Sequence, residues 1–180
     1  MKIRAARMED FDSIYSLVED YSRGGLLLPR DREEIRSHLG EFLVLVGRVR
    51  NFSSEKEDVL LGCVAIDTYR PGLAEIRSLA VIPQARGRGL GGRLLEAAIS
   101  TARRRKIARV FAVTQAVELF ERHGFNVAPL REAAPEKIAR DCFTCPKAAS
   151  CTLTTLVRQL TVQPDVRPIT ANPVAVPVQI

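Results

Sequence analysis

Residues 75–105 constrain this chain more than any other stretch, because strand, basic glycine-rich turn and helix follow one another there without a break. From Glu75 to Val81 the residues alternate, and Leu79, Ala80, Val81 and Ile82 thicken toward the end, as in a strand buried on both faces. Pro83 stops it, since proline has no N–H for a ladder. Beyond the turn, Leu90, Leu94, Leu95, Ala98, Ile99 and Ala102 recur at three-to-four spacing, the stripe of an amphipathic helix. The turn holds Arg86, Gly87, Arg88, Gly89, Gly91 and Gly92. Glycines let backbone N–H groups approach a ligand, the helix start adds partial positive charge, and two arginines add more, so an anion is expected there. Glycine-rich turns also simply turn, and residue types alone leave both readings open.

The spacing narrows the choice. A P-loop needs Gly-x-x-x-x-Gly-Lys-Ser/Thr, and no lysine follows here; a dinucleotide fingerprint belongs near the first strand, whereas this turn lies mid-chain. Arg86-x-x-Gly89-x-Gly91 after a strand ending Leu-Ala-Val-x-Pro resembles the acyl-CoA signature of the GNAT N-acetyltransferases.

The flanking sequence reads in the same order as that family. Lys2 to Ala6 suits a first strand, and Phe11, Ile14, Tyr15, Val18 and Tyr21 mark a helix broken at Gly24-Gly25. A short helix holds Ile35 and Leu39; Phe42 to Val46 and Val59 to Tyr69 read as strands around a polar loop at Asn51–Asp58. Pro71-Gly72 turns into the central strand. Arg109 to Thr114 is a strand, Val117 to Phe120 a short helix ended by Gly124, and Phe125–Ala128 and Thr152–Val157 are the last strands. The expectation is an α/β chain of GNAT fold over residues 1–160, with a mixed, mostly antiparallel sheet flanked by helices. Residues 161–180, with four prolines, read as an extended or disordered tail whose valines could dock on a second copy, which leaves a homodimer open.

Composition excludes some classes. A net charge of +6 would suit nucleic acid, but the basic residues gather between Arg86 and Arg109 without a stacking platform of aromatics, and a polyanionic cofactor accounts for them. No apolar run approaches the ~20 residues of a membrane helix, and Met1-Lys2-Ile3-Arg4 begins no signal peptide, so a cytoplasmic protein is expected.

The GNAT resemblance implies direct acyl transfer from acetyl-CoA to an amine. Arg86, Gly87, Arg88, Gly89, Leu90, Gly91 and Gly92 would take the diphosphate, the backbone of Leu79 and Val81 the pantetheine, and the Val81 N–H the thioester oxygen. Glu75, at the start of the central strand, is the candidate base for the amine, directly or through a water; the plain alternative is a surface pair with Arg77. Many family members carry a tyrosine as acid for the thiolate where this chain has Phe120, leaving water, Tyr69 or Ser78 for that task.

A narrower resemblance concerns the amine. Leu27 to Ile35, Glu75 to Val81 and Val110 to Thr114 are similar to the acetyltransferase domain of N-acetylglutamate synthases, which make the first intermediate of bacterial arginine synthesis. That implies L-glutamate as acceptor, in the short form without an amino-acid-kinase-like domain. Two carboxylates call for guanidinium groups, and Arg30 and Arg77 are the candidates. Longer members carry an arginine where this chain has Gln115. The alternatives are a GNAT enzyme for another amine, and a non-catalytic acyl-CoA sensor.

The sensor reading draws on the cysteines. Cys63 sits in an apolar strand and reads as core, whereas Cys142, Cys145 and Cys151 share a polar loop with spacings that suit a metal or an iron–sulfur cluster, redox-active thiols or inert ones.

Overall fold

The computed structural model describes residues 1–50, 56–143, 145 and 148–160. Its strands are β1 (Lys2–Ala5), β2 (Phe42–Arg50), β3 (Lys56–Arg70), β4 (Leu73–Val81), β5 (Arg109–Thr114), β6 (Asn126–Val127) and β7 (Thr154–Gln159). They form one sheet in the order β1-β2-β3-β4-β5-β7-β6, antiparallel except for the β4–β5 pair. The mixed, mostly antiparallel sheet is therefore as expected. β3 begins earlier than the polarity of its first residues suggests: residues 56–58 pair with residues 48–50, because a hairpin ladder uses backbone groups and tolerates charged side chains. The rest of the expected loop, like the expected tail at 161–180, lies outside the described residues.

Alternation along the strands sorts two cores onto the two faces. Leu43, Leu45, Val64, Ile66 and Ile76 pack against Leu94, Leu95, Ala98 and Ala102 of α3 (Leu90–Arg104). Phe42, Val44, Val46, Cys63 and Ala65 pack on the other side against Phe11, Ile14 and Val18 of α1 (Phe11–Arg23) and Ile35 of α2 (Arg32–Ser37). Asp31 starts α2, its side chain accepting the Glu34 N–H at 2.6 Å. β4 lies between both layers, which explains its near-continuous burial.

Helical turns fill the stretch before the expected cysteine loop at 141–151 and run into its first two residues. After α4 (Val117–Glu121) and β6, the chain forms α5 (Leu130–Ala133) and α6 (Pro135–Lys137), then a π turn at Ile138–Cys142. Ala134 packs with Leu73 and Phe111 in a third small core, and Leu130 packs against it, so the segment crosses the sheet beside the start of β4.

Candidate active site

β4 and β5 run side by side for three residues and then part. They pair only at Leu73–Glu75 with Arg109–Phe111, although β4 continues to Val81 and β5 to Thr114. Glu75 is thus the last β4 residue paired with β5, at the point of a fork. Ser78 and Leu79 form a bulge between the Ala65–Arg77 and Cys63–Ala80 pairs, with Ser78 at φ 53°. Above the fork a groove of about 310 Å³ opens, lined among others by Ser78, Leu79, Val81, Gly91, Val113 and Phe120.

The Ile82 N–H donates to the Leu61 carbonyl on β3 at 2.9 Å, so the Val81 N–H, one residue earlier, faces the groove. It meets the Tyr21 hydroxyl at 3.3 Å, which in turn donates to the Val81 carbonyl at 2.5 Å. Arg86 Nε donates to the same hydroxyl at 3.0 Å, its guanidinium 4.8 Å over the Tyr21 ring. Tyr21 therefore occupies both polar groups of Val81, and any acyl chain that pairs with them must displace it.

At the far end, Gly87 and Gly89 adopt φ 73° and 69°, and a Cβ on either would meet nothing within 4 Å. Only glycine takes such angles without strain, and the open space leaves the backbone approachable. Arg86, Gly87, Gly89, Leu90, Gly91 and Gly92 line the groove, where the first turn of α3 presents its amides. This end fits a diphosphate. Arg88 differs from expectation: between two left-handed glycines its side chain turns outward, lining a separate cavity with Lys2 and Asp58.

Beside the fork lies a smaller cavity, about 40 Å³, that joins Arg30, Glu75, Arg77 and Lys137 under Leu26, Leu27 and Leu28. Glu75 is 3% exposed, which excludes the surface-pair reading. Lys137 Nζ lies 2.9 Å from each of its oxygens, the Tyr69 hydroxyl lies 3.0 Å from Oε2, and Arg77 Nη1 lies 3.8 Å from the same atom. Burial raises the Glu75 pKa, and the opposing pull of Lys137 and Tyr69 does not cancel it. Burial also works against the Lys137 ammonium, but Glu75 and Asp141 outweigh it and raise its pKa. Arg77 pairs with Asp67 and with Glu34, and Arg30 with Glu34. Arg140 reaches Asp67 and stacks 3.7 Å over Tyr69. Burial thus makes the Glu75 carboxyl more willing to hold a proton than an exposed one, while Lys137 works against that.

Other expected residues fall elsewhere. Cys142, Cys145 and Cys151 do line one cavity, of about 590 Å³, with Lys137 and Asp141. Among the described residues, however, no three His, Cys, Asp or Glu side chains gather closely enough to hold a metal ion, so the metal expectation is not carried further. Cys63 is core, its thiol pushed up to about 12 by burial. Tyr69 is committed to Glu75 and Asp141 and does not line the groove, whereas Ser78 does. His123 bonds the Leu119 carbonyl at 2.7 Å and closes α4 against Gly92.

Sequence reasoning passed over Tyr21, Asp67 and Lys137 as site residues, and offered Asp141 only as a further ligand beside the cysteines. Asp67 carried a signal, a charge inside an apolar strand. Lys137 and Asp141 carried another, opposite charges four residues apart.

The Acetyltransferase (GNAT) family model matches residues 11–125. The chain belongs to this family. Its fold is thereby that of an acetyltransferase. Among GNAT relatives, it is 34% identical to an uncharacterized N-acetyltransferase of Chlorobaculum tepidum, over 88% of this chain and 96% of that one. It is 36% identical to the amino-acid acetyltransferase of Neisseria meningitidis over 78% of this chain but only 30% of that longer protein. The N-acetylglutamate synthase of Neisseria gonorrhoeae, solved with coenzyme A and N-acetyl-glutamate, superposes with a TM-score of 0.71 at 32% identity, covering 88% of this chain and 35% of that one.

Proposed function

We propose that this GNAT enzyme transfers the acetyl group of acetyl-CoA to the α-amine of L-glutamate, in the cytoplasm, as in the first step of arginine synthesis. The observation that carries the reading is the convergence of Arg30 and Arg77 on one carboxylate beside Glu75, next to the acyl-CoA groove. The names and ligands of the Neisseria relatives point the same way.

In this reading Arg86, Gly87 and the amides at Gly89–Gly92 hold the diphosphate, and Leu79 and Val81 offer backbone groups to the pantetheine. The Val81 N–H, once Tyr21 yields it, stabilises the oxygen on which charge develops. Glu75 takes a proton from the substrate ammonium, because only the free amine has the lone pair to attack. Arg30 and Arg77 orient the acceptor by its carboxylate.

The test is an amine panel with acetyl-CoA, read by thiol release, on the wild type, Arg30→Ala and Glu75→Gln. Losing one charge-assisted contact of about 1.5–3 kcal/mol should raise the glutamate KM on the order of tenfold to a hundredfold in Arg30→Ala. A KM that stays put favours the second reading, a GNAT enzyme for another amine. Glu34 and Asp67 support that alternative, since they already offset both guanidiniums. Full turnover by Glu75→Gln would remove the base, and no wild-type turnover would leave the acyl-CoA sensor.

A further inference from the structure

Arg30 comes from the α1–α2 connection and Arg77 from β4, yet both donate to the same atom, Oε1 of Glu34. The two guanidinium side chains are nearly closed off, at 14% and 10% exposure, whereas Glu34 is open at 36%. Arg77 uses its two terminal nitrogens differently: Nη2 holds Glu34 at 2.8 Å, while Nη1 pairs with Asp67 and stands 3.8 Å from Glu75. A carboxylate at the Glu34 position is therefore one guanidinium away from the candidate base.

We propose that Glu34 is the resident carboxylate of a seat that a carboxylate of the substrate takes over, so that it tunes which carboxylate-bearing amines the enzyme accepts. The inference rests on the acceptor-pocket reading above and names the residue that sets its selectivity. The exchange conserves charge. One carboxylate leaves as another arrives, so the nearly enclosed Arg30 is never left bare and Arg77 keeps a second carboxylate beside Asp67. Glu34 is free to leave, since α2 is held by the Asp31 cap and by buried Ile35, neither of which uses its side chain. An amine without a carboxylate gains nothing at this seat, because the resident group stays. An amine placed a few bonds from the seated carboxylate comes up against Glu75.

Calorimetry with glutarate, a dicarboxylate without an amine, separates binding from turnover. Glu34→Gln keeps the shape and removes the competing charge, so glutarate should bind about tenfold more tightly than to the wild type, and Glu34→Ala should show the same direction. Equal or weaker glutarate affinity in both variants overturns the exchange. Turnover of L-glutamine, which keeps only the α-carboxylate, and of isoglutamine, which keeps only the side-chain one, then identifies the carboxylate: the KM of the analogue that uses the seat falls in Glu34→Gln and the other does not. The two readings fail separately. A wild type that acetylates no amino acid removes the glutamate proposal, whereas glutamate turnover with glutarate affinity unmoved by either variant removes the exchange alone.

Discussion

Lys137 Nζ sits 2.9 Å from both carboxylate oxygens of Glu75, a residue sixty-two positions earlier in the chain. Both side chains are all but sealed, at 3% and 4% exposure, so neither charge has water to fall back on. Removing one partner of such a pair typically costs about 3–5 kcal/mol, because the other is left buried and uncompensated. Lys137→Met should therefore lower the urea unfolding free energy by an amount of that order. The double variant Lys137→Met/Glu75→Gln should recover part of the loss, and strictly additive losses would mean the two groups do not depend on each other.

Tyr21 stands where the groove's backbone groups must be used, and it makes a competing bond to each of them. A net hydrogen bond is worth about 0.5–1.5 kcal/mol, so freeing Val81 from the hydroxyl can strengthen a ligand that uses it by up to roughly tenfold. Coenzyme A titrated into Tyr21→Phe should accordingly show a dissociation constant below that of the wild type. A weaker complex would instead make the Tyr21 hydroxyl a contact of the ligand rather than its competitor.

The strands and the groove were legible because their signals are local. Glu75–Val81 alternates, Pro83 ends it, and the glycines at 87 and 89 occupy the two left-handed positions of the turn. The fork is not written in the same way, since nothing in Arg109–Thr114 says that pairing with β4 stops at Phe111. Lys137 was illegible for a related reason. Its place beside Glu75 depends on Leu130 and Ala134 packing with Leu73 and Phe111, residues of two strands far from them in the chain. Arg30 and Arg77 are nominated by the chemistry of the expected substrate; the Arg30–Glu34 pair has a local i,i+4 spacing, whereas the Arg77–Glu34 pair joins residues far apart in the chain and is set by the fold.

Asp10 gives the fold an acid-sensitive joint away from the site. Arg4 holds it with Nη1 to Oδ2 at 2.6 Å and Nη2 to Oδ1 at 2.9 Å, and the Arg7 N–H adds a third bond at 2.7 Å. Burial pushes the Asp10 pKa up, but these bonds outweigh it and leave the carboxyl below its ordinary 3.8. A depressed carboxylate stabilises the fold above the unfolded-state pKa and loses that contribution as pH falls through the folded one. Asp10→Asn should thus cost about 1.5–3 kcal/mol in urea unfolding at neutral pH, with the deficit shrinking below about pH 3.8. A deficit of constant size across that range would show that packing, not ionisation, makes the joint.

Gly62 links the stability of the sheet to the groove, because it stands opposite Val81 in the β3–β4 ladder. A Cβ there would come within 2.6 Å of the Ala80 carbonyl and 3.0 Å of Leu94 Cδ1. The first contact is with backbone, which has no rotamer to retreat into, so β4 itself must shift. Overpacking of this kind costs about 1–3 kcal/mol, which for a chain of 180 residues corresponds to a fall in Tm of roughly 2–4 °C per kcal/mol. Since the shift moves Val81, whose N–H is assigned to the thioester oxygen, Gly62→Ala should also lower kcat/KM for acetyl-CoA more than it lowers affinity for the amine. A variant that melts early yet keeps the wild-type acetyl-CoA kinetics would place the oxygen contact on another residue of the groove.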